Sequence, residues 1–271
     1  MAVGVSTRRN TLGALVKLSR DLGAPQNDYA ILAEGNTSAQ VSDGSFLLKA
    51  SGLSLSSVDA GSFVEMRTAA VLELLDAPSL SDEQLTLALS ACRVGDGARP
   101  STEAPLHALA LTLGRASFVG HTHPTAVNSI LCSKNAAVLS EGVLFPDQVV
   151  VCGRHPLFIP YVDPGVPLAF ELRVRLRKHL DAHGTPPRVI YLENHGLIAL
   201  GRTPNEVLHV TAMATKTARI MLGALAAGGP NYLGKHDAIR IETRPDERYR
   251  QHLLSSEGGA EGDDDHRHPR A

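Results

Sequence analysis

With 271 residues, 43% of them hydrophobic and 20% charged, the chain has the composition of an ordinary globular protein and the length to bury a sizeable core. Its formal net charge of -2 gives no electrostatic case for nucleic acid or a membrane surface as a partner. Three cysteines (Cys92, Cys132 and Cys152) without CxxC spacing argue against a disulfide framework and point to a reducing cytoplasm; no apolar run is long enough to span a membrane, and no signal peptide follows Arg8-Arg9.

Leu12, Leu15, Val16, Ser19 and Leu22 recur at helical spacing with Gly23 as a stop, which predicts an amphipathic helix over 7–22. Gly35-Asn36-Thr37-Ser38 reads as a tight loop. Asp43-Gly44, between β-prone flanks, then predicts a hairpin whose second strand runs into the small-residue turn Ala50-Ser51-Gly52. Two glycine-containing loops flanking one hairpin can set N–H groups and hydroxyls side by side as an anion-binding nest, although each alone is also an ordinary turn. Helices over 69–76 and 82–94 precede a Gly/Pro-rich break at 95–100. With Thr102 as N-cap, Glu103 falls in the first turn of a helix that also holds Pro105 and ends at Gly114. Ser101, Thr102 and Glu103 thus crowd a helix N-terminus, where free N–H groups attract anions. The plainer reading makes Glu103 a capping residue. His107 shares the helix face of Glu103 and is most simply a structural histidine, with support of a site as the alternative.

Ser117-Phe118-Val119 predicts a short buried strand leading into His121-Thr122-His123. Side chains at i and i+2 of a strand share a face, so the two imidazoles can converge on one cation. A third nitrogen from His195 would complete a three-histidine site with the open positions catalytic zinc needs. The alternative is two histidines that merely end a strand.

Pro124 opens a helix through Leu131, and 136–162 reads as short strands at 143–145, 149–151 and 158–159. Asp163-Pro164-Gly165 leads into a helix with Leu168, Leu172, Leu176 and Leu180 on one face, and its run Arg173, Arg175, Arg177, Lys178 reads as a solvated face. Val189–Leu192 is a buried strand ending at Glu193-Asn194-His195-Gly196, followed by a strand over 197–200. Thr203-Pro204-Asn205-Glu206 is a capping box that starts a helix reaching about residue 227. The stretch 231–254 is less regular. No linker divides 1–254, which reads as one α/β domain, and the Gly/Asp/His-rich 255–271, with His266 and His268, reads as a disordered tail.

Gly35-Asn36-Thr37-Ser38, Ala50-Ser51-Gly52, Pro100-Ser101-Thr102-Glu103, His121-Thr122-His123 and Asn194-His195-Gly196, in this order and spacing, resemble the class II aldolase/adducin family. That family includes fuculose-1-phosphate aldolase and ribulose-5-phosphate 4-epimerase, and the resemblance covers roughly residues 10 to 225. It implies a three-layer αβα sandwich around a mixed, mostly antiparallel sheet, assembled as a homotetramer with active sites at subunit interfaces. It implies a divalent cation, zinc first and manganese or cobalt next, held by His121, His123 and His195. Glu103 falls at the family's acid/base carboxylate, and Gly35, Asn36, Ser51, Gly52, Ser101 and Thr102 fall at positions that bind substrate phosphate. The activity implied is reversible cleavage of a ketose 1-phosphate to dihydroxyacetone phosphate and an aldehyde through a metal-stabilised enediolate.

Glutamate rather than aspartate at 103 favours an aldolase, or a related decarboxylase or dehydratase, over an epimerase. The tyrosine that fuculose-type aldolases carry past the His-x-His has no counterpart in Ser140–Asp147. Glu141 and Asp147 are the acids of that stretch, and Tyr232 and Tyr249 are candidates for the family's C-terminal tyrosine. An adducin-like interaction protein without metal is the reading from a different class; the three histidines and Glu103 speak against it.

Overall fold

The computed structural model describes residues 2–76, 80–247 and 249, so the tail expected over 255–271 lies outside the described residues. Helix α1 (Ala2–Leu22) starts earlier than its periodicity indicates and ends where Gly23 donates its N–H to the Ser19 carbonyl. The expected hairpin forms from β1 (Asn36–Ser42) and β2 (Ser45–Lys49), and β3 (Phe63–Arg67) pairs with β2 on its other side. The loop expected over 35–38 is corrected: only Gly35 is outside the strand, and Asn36, Thr37 and Ser38 belong to buried β1. These polar residues can be buried in a strand because each finds a partner. Thr37 Oγ1 lies 2.6 Å from Ser19 Oγ, and Ser38 Oγ lies 2.7 Å from His107 Nδ1.

Helices α2 (Thr68–Glu73) and α3 (Asp82–Ala91) follow, the second capped reciprocally by Ser81 and Gln84. Helix α4 (Ala104–Thr112) starts one residue later than expected, with Glu103 rather than Thr102 at the N-cap. Next come β4 (Phe118–Thr122) and α5 (Thr125–Leu131). The triplet Val149-Val150-Val151, expected as a strand, lies in α6 (Pro146–Cys152), and residues 143–145 are irregular. Pro146 and Asp147 in the first turn favour a helix start, Gln148 Oε1 accepts the Leu144 N–H at 2.7 Å, and the valines find apolar packing as well in a helix as in a strand. Of the three strands expected there, only β5 (Leu157–Ile159) forms.

Helix α7 (Val166–His183), β6 (Val189–Leu192), β7 (Gly196–Gly201) and α8 (Pro204–Ala226) match their signals closely. The solvated reading of the α7 arginines is only partly right, because Arg173 reaches Asp76 at 2.7 Å. The capping box at α8 is half formed: Thr203 Oγ1 accepts from Glu206 N–H, but the Glu206 carboxylate turns to Arg202 N–H. Helix α9 (Lys235–Thr243) lies in the stretch expected to be less regular.

The seven strands form one sheet in the order β3-β2-β1-β4-β7-β6-β5, antiparallel at every pairing except β5–β6. Alternation along the strands sends Phe46, Leu48, Val119, Ile190 and Ile198 to a core built with α2, α3, α4 and α7. Leu47, Tyr191, Leu197 and Ala199 face the opposite core, built with α1, α5, α6 and α8. This is the αβα sandwich around a mixed, mostly antiparallel sheet. All three cysteines are free, and no described helix is long and apolar enough to cross a membrane.

Candidate metal centre

The centre forms where the middle strands end. In the antiparallel β1–β4 pair Asn36 lies opposite His121, and in the β4–β7 pair Ile198 does. His121 is two residues beyond the core-facing Val119, so its ring shares the face that α4 covers. His195 arrives from the turn between β6 and β7, where Asn194 adopts the left-handed conformation (φ 53°) that asparagine tolerates better than most residues. Asn128 Nδ2 donates to the His195 carbonyl at 2.9 Å and steadies that turn.

Two glycines make room for the rings. At Gly35 φ is +67°, and a Cβ there would lie 2.5 Å from the His121 carbonyl oxygen; at Gly196 a Cβ would lie 2.6 Å from the His123 ring.

His121 Nε2 lies 3.0 Å from His123 Nε2 and 3.2 Å from His195 Nε2. Glu103 Oε1 lies 3.5 Å from His121 Nε2 and 3.3 Å from His195 Nε2. Zinc–nitrogen bonds of about 2.0–2.1 Å in a tetrahedron place ligand atoms roughly 3.3 Å apart, so these spacings fit a metal. His121 Nδ1 donates to the Leu197 carbonyl at 2.9 Å, which leaves its Nε2 lone pair aimed into the cluster. Facing that lone pair are two more imidazole nitrogens and a carboxylate oxygen, and one cation satisfies all of them at once. Burial pushes His121 and His123 below the ordinary histidine range, His123 down to about 3 with help from its neighbours His121 and His195. They are therefore neutral ligands at pH 7. Burial alone would raise the Glu103 carboxyl, but His121, His195 and the Asn36 amide outweigh it and hold the carboxyl well below its usual range.

Around this cluster Asn36 Nδ2 donates to Glu103 Oε2 at 2.6 Å and lies 3.4 Å from Ser101 Oγ, which accepts the Glu103 N–H. Asn36 and Ser101, carried over as phosphate positions, are thus direct neighbours of Glu103. Ser51 sits in the turn after β2 and donates its N–H to the Arg99 carbonyl at 2.9 Å, which ties that turn to the stretch leading into Ser101. That N–H is engaged, so the expected nest has fewer free donors than the sequence suggested. Gly52 (φ +79°) is exposed beside Ser51, and Thr102 is half-buried next to Ser101. Tyr232 is not a free tyrosine: its hydroxyl donates to the Val138 carbonyl at 2.8 Å and its ring packs over Gly142. Glu141 lies by that hydroxyl, Asp147 is in the first turn of α6, and Tyr249 is exposed.

Sequence reasoning missed Lys49. Its side chain is 2% exposed, its ammonium donates to the Leu53 carbonyl, and burial lowers it to about 8 while the Glu103 charge pulls the other way. Its only signal was a lysine closing an apolar strand. A cavity of about 320 Å³ opens against His123, lined also by Asp28, Glu34, Asn128 and Ser129.

A second trio, His155, His179 and His183, borders a cavity of about 430 Å³ with Arg154, Arg188 and Glu242. His155 and His183 stack with centroids 3.9 Å apart, and His179 meets His183 edge-on at 4.6 Å. Among the described residues, only His121, His123 and His195 bring three donor atoms together as a metal requires.

Residues 13–222 match the family described as Class II Aldolase and Adducin N-terminal domain. A curated relative from Bacillus subtilis (strain 168), named uncharacterized oxidoreductase YuxG, is 28% identical over 178 residues, 62% of this chain; the chain spans 23% of that protein's length. Among solved structures, the N-terminal class II aldolase domain of a conserved protein from Thermoplasma acidophilum superposes with a TM-score of 0.60 at 24% identity, covering 77% of this chain and 92% of that one. L-fuculose-1-phosphate aldolase from Thermus thermophilus does so with a TM-score of 0.58 at 19% identity, covering 83% and 100%. At these identities the superpositions establish a shared fold.

Proposed function

The chain belongs to the class II aldolase and adducin family, and from that premise we propose that it is a metal-dependent aldolase acting on a ketose 1-phosphate. The observation that carries the proposal is the convergence of three imidazole Nε2 atoms with Glu103 Oε1 at the end of β4. A divalent cation held there, zinc first, supplies Lewis-acid stabilisation of the negative charge that develops on an enediolate. Breaking the bond between C3 and C4 leaves its electron pair on the C3 side, while the C4 hydroxyl gives its proton to the Glu103 carboxylate and becomes the aldehyde. Glu103 then delivers a proton to C3 to yield dihydroxyacetone phosphate, and takes one from C3 in the reverse direction.

Gly35, Asn36, Ser51, Gly52, Ser101 and Thr102 form the phosphate side, with the buried Lys49 adding positive charge. The cavity beside His123 receives the aldehyde half. Asp28 and Glu34 in its wall favour a neutral polyhydroxy chain over an anionic one. The protein assembles as a homotetramer with sites at the subunit interfaces, on the pattern of the family.

The test is a panel of ketose 1-phosphates offered to the zinc-loaded protein, with detection of dihydroxyacetone phosphate. Glu103→Gln should keep its zinc and lose at least about 100-fold in turnover. Undiminished turnover in that variant would remove Glu103 from its role. Release of carbon dioxide from sugar-acid phosphates, with no triose phosphate from any ketose, would replace the aldolase reading by decarboxylation.

A further inference from the structure

His107 touches none of the atoms that face the cation position, yet it is fully buried and both ring nitrogens are engaged. Its Nε2 meets Asn36 Oδ1, and its Nδ1 lies 2.7 Å from Ser38 Oγ. Asn36 turns its other end to Glu103. Four side chains therefore form one line, Ser38–His107–Asn36–Glu103. Ser38 and Asn36 lie two residues apart on one face of β1, and Glu103 and His107 lie four apart on one face of α4.

The direction of every bond in this line follows from its last member. A carboxylate can only accept, so the 2.6 Å contact requires the Asn36 NH2 to face Glu103 Oε2. Asn36 Oδ1 then faces His107 and needs a donor, so the ring proton must be on Nε2. Burial keeps His107 neutral, down to about 3, so Nδ1 carries no proton and accepts from the Ser38 hydroxyl. The other tautomer would turn the amide over and set its oxygen against the carboxylate.

We propose that His107 is a positioning residue: by donating from Nε2 to Asn36 Oδ1 it fixes the amide, and through the amide it decides that Glu103 presents Oε1 to His121 and His195. The inference rests on the reading of Glu103 as the group that moves the proton at C3. An Asn36 amide free to rotate would leave Glu103 without its donor in half of its orientations.

Two measurements test it. Two-bond 15N–1H correlation spectra of the zinc-loaded protein, with the His107 ring identified by its loss in His107→Gln, should show a neutral Nε2–H tautomer. An Nδ1–H ring or a protonated one overturns the proposal whatever the enzyme does. Exchange of the C3 hydrogen of dihydroxyacetone phosphate for deuterium then reads Glu103 directly. His107→Leu should slow exchange by about 10- to 100-fold with zinc affinity within about threefold. His107→Gln, whose amide can donate in place of Nε2, should recover most of that loss. Equal exchange in wild type and His107→Leu overturns the proposal, and so does a Gln variant as slow as Leu. Absence of exchange in the wild type would instead remove the aldolase reading, and the tautomer spectrum would still decide whether His107 sets the amide.

Discussion

Two trios of histidines lie at opposite ends of β6, and they are built from the same residue type to different ends. His195 follows the strand, in the turn to β7, and its Nε2 joins those of His121 and His123 within ligand spacing. Before the same strand comes Arg188, and around it His155, His179 and His183 lay their rings on one another instead. Orientation separates them. The first trio is aimed by the groups behind it: Leu197 holds Nδ1 of His121, Asn128 holds the His195 backbone, and Gly196 leaves space for the His123 ring. The second gathers near the end of α7, where His183 stands in the last turn next to the Gly184 C-cap. A count of histidines would not tell these regions apart; the direction of their lone pairs does.

The contrast breaks most visibly in metal content. His121→Ala should weaken zinc binding by at least about 100-fold, since loss of an outer partner alone costs 10- to 100-fold. At zinc near 100 times its Kd the wild type should gain about 2.7 kcal/mol of stability, roughly 5–10 °C in Tm, and the variant no more than about 0.4 kcal/mol. His179→Ala should bind zinc as wild type does. Metal analysis after dialysis and a melting curve with added zinc check both, and equal loss in the two variants would erase the distinction.

A smaller effect separates the glycines of the two regions. Gly35 and Gly184 both have left-handed backbones (φ +67° and +72°), but only at Gly35 would a Cβ meet a neighbour, the His121 carbonyl. Gly184→Ala should cost about 1 kcal/mol and leave zinc binding alone. Gly35→Ala should cost at least about 2 kcal/mol and weaken zinc binding as β1 shifts against β4. Urea unfolding with a zinc titration measures the difference.

The smallest effect belongs to the second trio and to pH. Burial, and then His183 and His155, push His179 down to about 4 from the usual histidine value of 6.5. Between those values the unfolded chain binds the proton and the folded one does not, so stability rises with pH through this window. It is fully present above pH 6.5 and is lost progressively as pH falls towards 4. His179→Asn should flatten the dependence of Tm on pH over that range. An unchanged slope would show that His179 titrates normally.

Much of the centre was legible because its chemistry needs short, spaced motifs: a strand alternation set His121 and His123 on one face, a helix start marked Glu103, and the family resemblance put Glu103 with them. The helices with clear stops, α7 and α8, were legible for the same local reasons. What escaped depended on partners far along the chain. Asn36-Thr37-Ser38 carries the small polar residues of a loop, and only Ser19, His107 and Glu103, brought from two helices, make it a buried strand. Val149-Val150-Val151 has the residues of a strand, but Pro146 starts a helix just before it. The Asn36 amide meets Glu103, a pairing across 67 residues that no local pattern encodes.

Strand β4, which carries His121, is the fourth of seven, with three strands on either side, whereas three-residue β5 lies at the sheet's edge. Amides at an edge can exchange with solvent through local fraying, but those of a central strand exchange only when the whole sheet opens. The frame of the centre is therefore the last part of the molecule to loosen, and warming can fray the β5 margin while the ligand rung between Asn36 and His121 is still closed.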